Sequence, residues 1–88
     1  MTVVIKIVCS ATGDRTAHDG HYVQEYVPNF DRHGYLVSTS RLESAKRYRD
    51  HAAAFEAWRA INGQHPVRDD GKPNRPLTAF TVQMESVP

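Results

Sequence analysis

Cysteine, charge imbalance and long apolar runs are what this chain has least of. Cys9 is the only cysteine. One thiol forms no internal disulfide, which excludes the stapled scaffolds of small secreted domains and points to a reducing compartment. Eleven Lys and Arg stand against ten Asp and Glu, for a formal net charge of +1. A protein that holds nucleic acid through its overall field carries a basic excess, and this one does not; a local basic face stays open. The opening V-V-I-K-I-V-C is broken by Lys6 and is too short for the apolar part of a signal peptide. No apolar run approaches the roughly 18 residues of a membrane span. Together these absences predict a soluble protein of the cytoplasm with no membrane contact.

Catalytic signatures are missing too. Gly13, Gly20 and Gly34 lack the spacing and the Lys-Ser/Thr of a phosphate loop. Asp69-Asp70 abuts Gly71 and reads as turn chemistry rather than as an acid–base pair. Cys9 continues the expected core face of a strand, where a small packed side chain is expected rather than an activated thiolate. His18 and His21 are separated by two residues, with Asp14 and Asp19 nearby. A zinc site needs three or four converging ligands, and no second cysteine supplies a recognised spacing. His33, His51 and His65 show no pairing. The expectation is a chain with no catalytic residues, no metal ligands and no cofactor, and so not an enzyme.

What is present is a fold pattern. Eighty-eight residues make one domain, 1–88. Val3, Ile5, Ile7 and Cys9 alternate with Val4, Lys6 and Val8, and this β-branched run reads as a strand. Val4 and Val8 on the second face suggest that the strand is central or covered. A turn-rich stretch follows from Ser10 to Gly20. His21 to Val27 reads as strand two and Tyr35 to Ser38 as strand three, with a turn over Pro28 to Gly34 closing a hairpin. Ser40 and Glu43 fit a capping box, which predicts a helix start there with Leu42, Ala45 and Tyr48 facing the core. Asp50 can cap a second turn, so the segment is one kinked helix or two. The main helix is expected over His51 to Ile61, with Ala54, Phe55, Trp58 and Ile61 as its apolar stripe and Asn62-Gly63 as its stop. In the last strand Phe80, Val82 and Met84 alternate with Thr81, Gln83 and Glu85. The order β-β-β-α-β predicts an α+β fold: an antiparallel sheet of about four strands, with one helical layer packed on one face and water on the other.

Between helix and last strand lies Q-H-P-V-R-D-D-G-K-P-N-R-P, from Gln64 to Pro76. A structureless loop of this length is uncommon in so small a domain and is usually functional or disordered. It carries Arg68, Lys72 and Arg75. Arg41, Lys46, Arg47, Arg49 and Arg59 lie on or near the helical segment, interleaved with Glu43, Asp50 and Glu56, which weaken the field. Charges on a helix are ordinarily its solvated side; the functional version needs them to converge. In the hairpin, Tyr22 and Tyr26 face outward together if Val23 and Val27 face the helix. Exposed tyrosines beside arginines suit a protein interface and can also stack bases. The alternative packs the tyrosines into the core and turns the valines out.

Three segments carry a resemblance: G-x-Y-V…Y-x-P over Gly20 to Pro28, A-x-x-Y…A-x-x-x-W over Ala45 to Trp58, and D-G-K-P-N-R-P-L-T-A-F-T-V over Asp70 to Val82. Together they resemble a group of small phage- and prophage-encoded proteins of unknown role. The resemblance brings no catalytic residues. It implies a context in which small mobile-element proteins bind a host or defence machine, anti-CRISPR proteins being one such class. Many of those are strongly acidic DNA mimics, and this chain is not.

Two readings follow. The first is a non-enzymatic, phage-derived protein that inhibits a host defence complex, such as a CRISPR effector, by steric binding in the host cytoplasm. Its contact candidates are Tyr22, Tyr26, Arg47, Arg49, Arg68, Lys72 and Arg75. The second is a small nucleic-acid-binding accessory protein that uses the same arginines on phosphates and the tyrosines for stacking. Whether the last strand pairs within the chain or with a second copy is open, so monomer and homodimer both stand.

Overall fold

The strand that opens the chain organises everything else. In the computed structural model, which describes residues 2–28 and 34–88, β1 runs over Thr2–Ser10. Its Val3, Val4, Ile5 and Ile7 are all buried at 2% exposure or less. Each such side chain stabilises the fold by about 1.5–3 kcal/mol relative to exposure, so this strand is the heart of the core. Burial on both faces requires cover over both, and β1 also lies inside the sheet with a strand along each edge. β2 (Tyr22–Val27), β3 (Tyr35–Thr39) and β4 (Phe80–Val87) complete an antiparallel sheet in the order β3-β2-β1-β4. One helix, α1 (His51–Arg59), lies on one face. The α+β class and the four-stranded antiparallel sheet are thus as the patterning predicts. The turn expected over 28–34 lies, for residues 29–33, outside the described residues, as does His33.

The two neighbours of β1 pair with it differently. β1 and β4 pair along their whole length, from Thr2↔Val87 to Ser10↔Phe80. β1 and β2 share only Lys6↔Tyr22, flanked by hydrogen bonds from Ile7 N–H to His21 O and from Gly20 N–H to Ile7 O, both 2.8 Å. Beyond that point the strands diverge, and the segment 45–48 occupies the fork. Tyr48 exchanges backbone hydrogen bonds with Val3 at 2.8 and 2.9 Å, and Lys46 N–H donates to Val23 O at 3.0 Å.

This fork corrects the capping-box expectation. Instead of a helix from Ser40, the chain makes one 3₁₀ turn, Leu42–Ser44, with no side-chain cap. Glu43 accepts from Arg41 Nε at 3.0 Å rather than reaching back to close a box. The backbone is already extended at Ala45, as it must be to bond β1 and β2 at once. Tertiary pairing outcompetes a local helix signal that is worth little on its own.

α1 begins where Asp50 caps it: the Asp50 carboxylate accepts from Ala53 N–H at 2.8 Å. It ends at Arg59, two residues before the expected Ile61, because Asn62 N–H bonds Asn74 O at 2.8 Å and draws the chain off the helix axis. Its buried stripe is also narrower than the pattern suggests. Ala54 is fully buried and Trp58 packs against the core, but Phe55 and Ile61 are 45% and 44% exposed.

The main core lies between α1 and the sheet and holds Val3, Ile5, Ile7, Val23, Leu36, Ala54 and Leu77, with Phe80, Val82 and Met84 against it as the alternation in β4 predicts. The other face, expected to be open to water, is covered at one end by a small cluster of Val4, Ala45 and Val87 with Tyr22 against it. Cys9 belongs to neither cluster. A register shift between Ile7 and Cys9 places it opposite Thr81 rather than in line with Val82, so it is half-buried and off the core face.

Candidate functional site

From Gln64 to Arg75 the loop forms no helix or strand, as its composition indicates, and hydrogen bonds fix its path. Its tip is a tight turn in which Gly71 N–H bonds Arg68 O at 2.9 Å and Arg68 N–H bonds Lys72 O at 2.8 Å. Gly71 sits at φ 83°, a conformation that glycine adopts without strain. Asp70 accepts from Lys72 N–H at 3.0 Å and pairs with the Arg68 guanidinium at 3.0 Å. The Asp69-Asp70-Gly71 run is therefore turn chemistry, as its composition indicates. Val67 and Pro73 close the arms as an isolated bridge.

Asn62 anchors the base of this loop. It is the one buried polar residue among those described, at 3% exposure. Its side-chain oxygen accepts from Gln64 N–H at 2.8 Å and His65 N–H at 3.0 Å. Its amide nitrogen donates to Tyr26 Oη at 3.1 Å and Pro28 O at 3.2 Å. One side chain thus ties the loop to β2. Asn74 adds a bond to His65 O at 2.8 Å, and the Arg75 guanidinium donates to Arg59 O. That last bond satisfies one of the carbonyls that the end of α1 leaves without an intrahelical partner. The loop, the Pro76–Ala79 turn and the Ser10–Thr12 corner together border an open cleft of about 800 Å³. Val67, at 61% exposure, is the most exposed large apolar side chain among the described residues and lines that cleft.

The predicted contact residues divide into three groups. Arg68, Lys72 and Arg75 share the loop, but Arg68 is paired with Asp70 and Arg75 is spent on the helix end. The Lys72 ammonium is exposed. Arg47 lies at the opposite end of the sheet, where it donates to Thr2 Oγ1 at 3.3 Å and Pro88 O at 3.5 Å. The length of β1, about 26 Å at strand rise, separates that end from the loop. Arg49 pairs with Asp50 at 3.2 Å, an exposed contact of little energetic weight.

The tyrosines do not sit side by side on an open face. A register shift between Val23 and Glu25 puts Val23 and Tyr26 on the core side together, with Tyr26 opposite the buried Leu36. Tyr22 packs on the other face against the Val4 cluster. Burial pushes the Tyr26 phenol above its ordinary value, and the Asn62 hydrogen bond acts the other way. Burial likewise raises Tyr48. The expectation that Tyr22 and Tyr26 project together is corrected by this bulge, which a two-residue alternation does not anticipate.

His18 and His21 do converge, on a serine. Nδ1 of His18 lies 2.7 Å and Nδ1 of His21 3.3 Å from Ser38 Oγ, and the His18 ring packs edge-on to Phe80 with centroids 5.7 Å apart. These contacts pin the 16–21 turn to β3. No group of three His, Cys, Asp or Glu able to hold a metal ion occurs among the described residues. No helix among them is long and apolar enough to cross a membrane.

Sequence reasoning missed Asn62 and Val67. Asn62 was hidden because Asn-Gly reads first as a helix stop. The available signal was Asx-turn chemistry, in which an Asn side chain accepts from the amide two residues on, as it does here from Gln64. Val67 stands alone in a polar loop, and its exposure could not be read without the fold. No protein-family model, curated protein or solved structure matches this chain.

Proposed function

We propose that this chain is a non-enzymatic, phage-derived interaction protein that blocks a host defence complex, such as a CRISPR effector, by occupying part of its surface in the host cytoplasm. The observation that supports this reading best is the loop 64–76, folded in advance by Asn62, Asn74 and Arg75 while its tip stays exposed. A segment that is already ordered avoids much of the entropy loss that binding imposes on flexible loops. Its tip offers an apolar side chain, Val67, beside Arg68 and Lys72, a composition suited to a protein surface. The class of partner comes from the resemblance of Asp70 to Val82 to small phage proteins.

The nucleic-acid reading is less well supported. Phosphate binding needs cations that are free to converge, and here Arg68, Arg75 and Arg49 are engaged within the chain while Asp69 and Asp70 stand at the loop tip. The two readings separate in a tagged pull-down from a bacterial lysate containing CRISPR effector complexes, run with and without nuclease. Recovery of a defence complex that survives nuclease supports steric inhibition. Recovery of nucleic acid alone, lost after nuclease, overturns it in favour of the second reading.

A further inference from the structure

Among the described residues most of one side of the β4 backbone is unpaired, and the register shows which groups these are. Val3 gives both its backbone groups to Tyr48, and Ile7 gives its own to His21 and Gly20. Both residues therefore face away from β4. Their register partners Ser86 and Val82 form non-hydrogen-bonded pairs with them and turn their own N–H and C=O outward. The period of two puts Met84 in the same set. Phe80 belongs to it as well, but its carbonyl already accepts from Trp58 Nε1 at 3.3 Å. β4 is an edge strand, and among the described residues nothing pairs with the outward groups of Val82, Met84 and Ser86.

Proteins usually blunt such an edge with proline, lysine, a bulge or short length. β4 has eight residues, no proline and no lysine, and the irregularity in its pairing with β1 lies on the β1 side. An apolar shoulder runs beside it. Trp58 reaches the edge through its bond to Phe80, and Phe55, 45% exposed, lies with its ring centroid 5.8 Å from that of Trp58.

We propose that β4 is a dimerisation edge that takes β4 of a second copy in antiparallel register, joining two four-stranded sheets into one. The strand is self-complementary about Met84. In that register Val82 of one copy exchanges hydrogen bonds with Ser86 of the other, and Gln83 faces Glu85 across the polar face. An amide then meets a carboxylate, and the one charge of β4 never meets its own copy. The two-fold axis runs through the sheet, so both α1 helices come to the same face with Phe55 beside the join. A contact confined to one edge and two aromatic rings is small, which places it among the weak and transient interfaces. This contact involves neither the loop nor any other partner.

The test is light scattering on the purified chain from low micromolar to near-millimolar concentration, with amide hydrogen exchange read by residue. The expected mass rises with concentration toward twice the 9.9 kDa of one chain. Over the same range the amides of Val82, Met84 and Ser86 gain protection, while those of Gln83 and Glu85, which already face β1, do not change. Ser86→Pro removes an outward donor without touching a bond to β1, and Phe55→Glu places a charge on the shoulder. Each should weaken dimerisation at least tenfold, with the circular dichroism spectrum unchanged. A monomer at every concentration overturns the proposal. So does a dimer in which the Val82, Met84 and Ser86 amides stay fast, because another surface then makes the contact. Strand addition by an unrelated extended peptide, with no self-association, overturns it as well. The wild-type measurements stand even if a variant fails to fold.

Discussion

Replacing Asn62 with alanine should cost this fold about 3 kcal/mol. The side chain is buried and makes four hydrogen bonds, to Tyr26 Oη, Pro28 O, Gln64 N–H and His65 N–H. The two on the strand side join half-buried groups, and losing each costs about 1–1.5 kcal/mol. Gln64 and His65 are exposed, so water replaces much of what their amides lose, about 0.5 kcal/mol each. A chain of this length has a total stability of roughly 4–13 kcal/mol, so the loss is a large fraction of it. The midpoint of thermal unfolding should fall by about 15 °C. The assay is urea and thermal denaturation followed by Trp58 fluorescence and far-ultraviolet circular dichroism. Tyr26→Phe removes one of the four bonds, and a double-mutant cycle with Asn62→Ala should return a coupling of about 0.5–1 kcal/mol. A loss below about 1 kcal/mol for Asn62→Ala, with no coupling to Tyr26, would refute the idea that this residue holds the loop to the sheet.

Gly34 has φ 73°, and a Cβ there would run into the Tyr26 phenol, so Gly34→Ala should destabilise by about 2 kcal/mol or more in the same denaturation assay. Asp50→Ala should lower the melting temperature while Asp50→Asn largely preserves it, since either Asp or Asn can accept from the Ala53 amide. That amide also holds the Asp50 carboxyl below its ordinary value. Its contribution is therefore present above the unfolded carboxylate range and is lost as pH falls through the folded value, so the Asp50→Ala deficit in melting temperature should shrink in acid. Tyr48 behaves in the opposite direction. Burial raises its phenol above the ordinary value of 10.0, so stability is full below that pH and is lost as pH rises through the folded value. Tyr48→Phe should flatten the alkaline limb of a plot of stability against pH.

Strand identity was legible because burial follows alternation. Val3, Ile5 and Ile7 had to share one face, and Phe80, Val82 and Met84 had to meet them. What alternation could not show is where it breaks. The register shift near Gln24 moves Tyr26 to the core side, and the one after Ile7 takes Cys9 out of it. A bulge inserts a residue without a clear compositional mark, and every inference downstream of it changes face. The helix at Ser40 failed for a different reason: the capping signal was local, while the demand of Val3 and Val23 for an extended partner was not. In the loop, the Asp-Asp-Gly turn was readable from composition. The convergence of Gln64, His65, Tyr26 and Pro28 on Asn62 was not, because it joins segments more than thirty residues apart. The basic residues of the helical segment and the loop were legible, yet only the fold shows that most of them are held within the chain.

Loop 64–76 is the proposed docking surface. The most direct measurement is the affinity of the purified chain for the defence complex recovered in the nuclease-treated pull-down, compared with Val67→Asp combined with Lys72→Glu, and with Gln24→Glu on the far hairpin as control. The loop pair should lose at least tenfold in affinity, the control should not change, and the dependence on salt should be shallow. Equal affinity for the wild type and the loop pair would contradict this assignment and place the contact elsewhere on the surface.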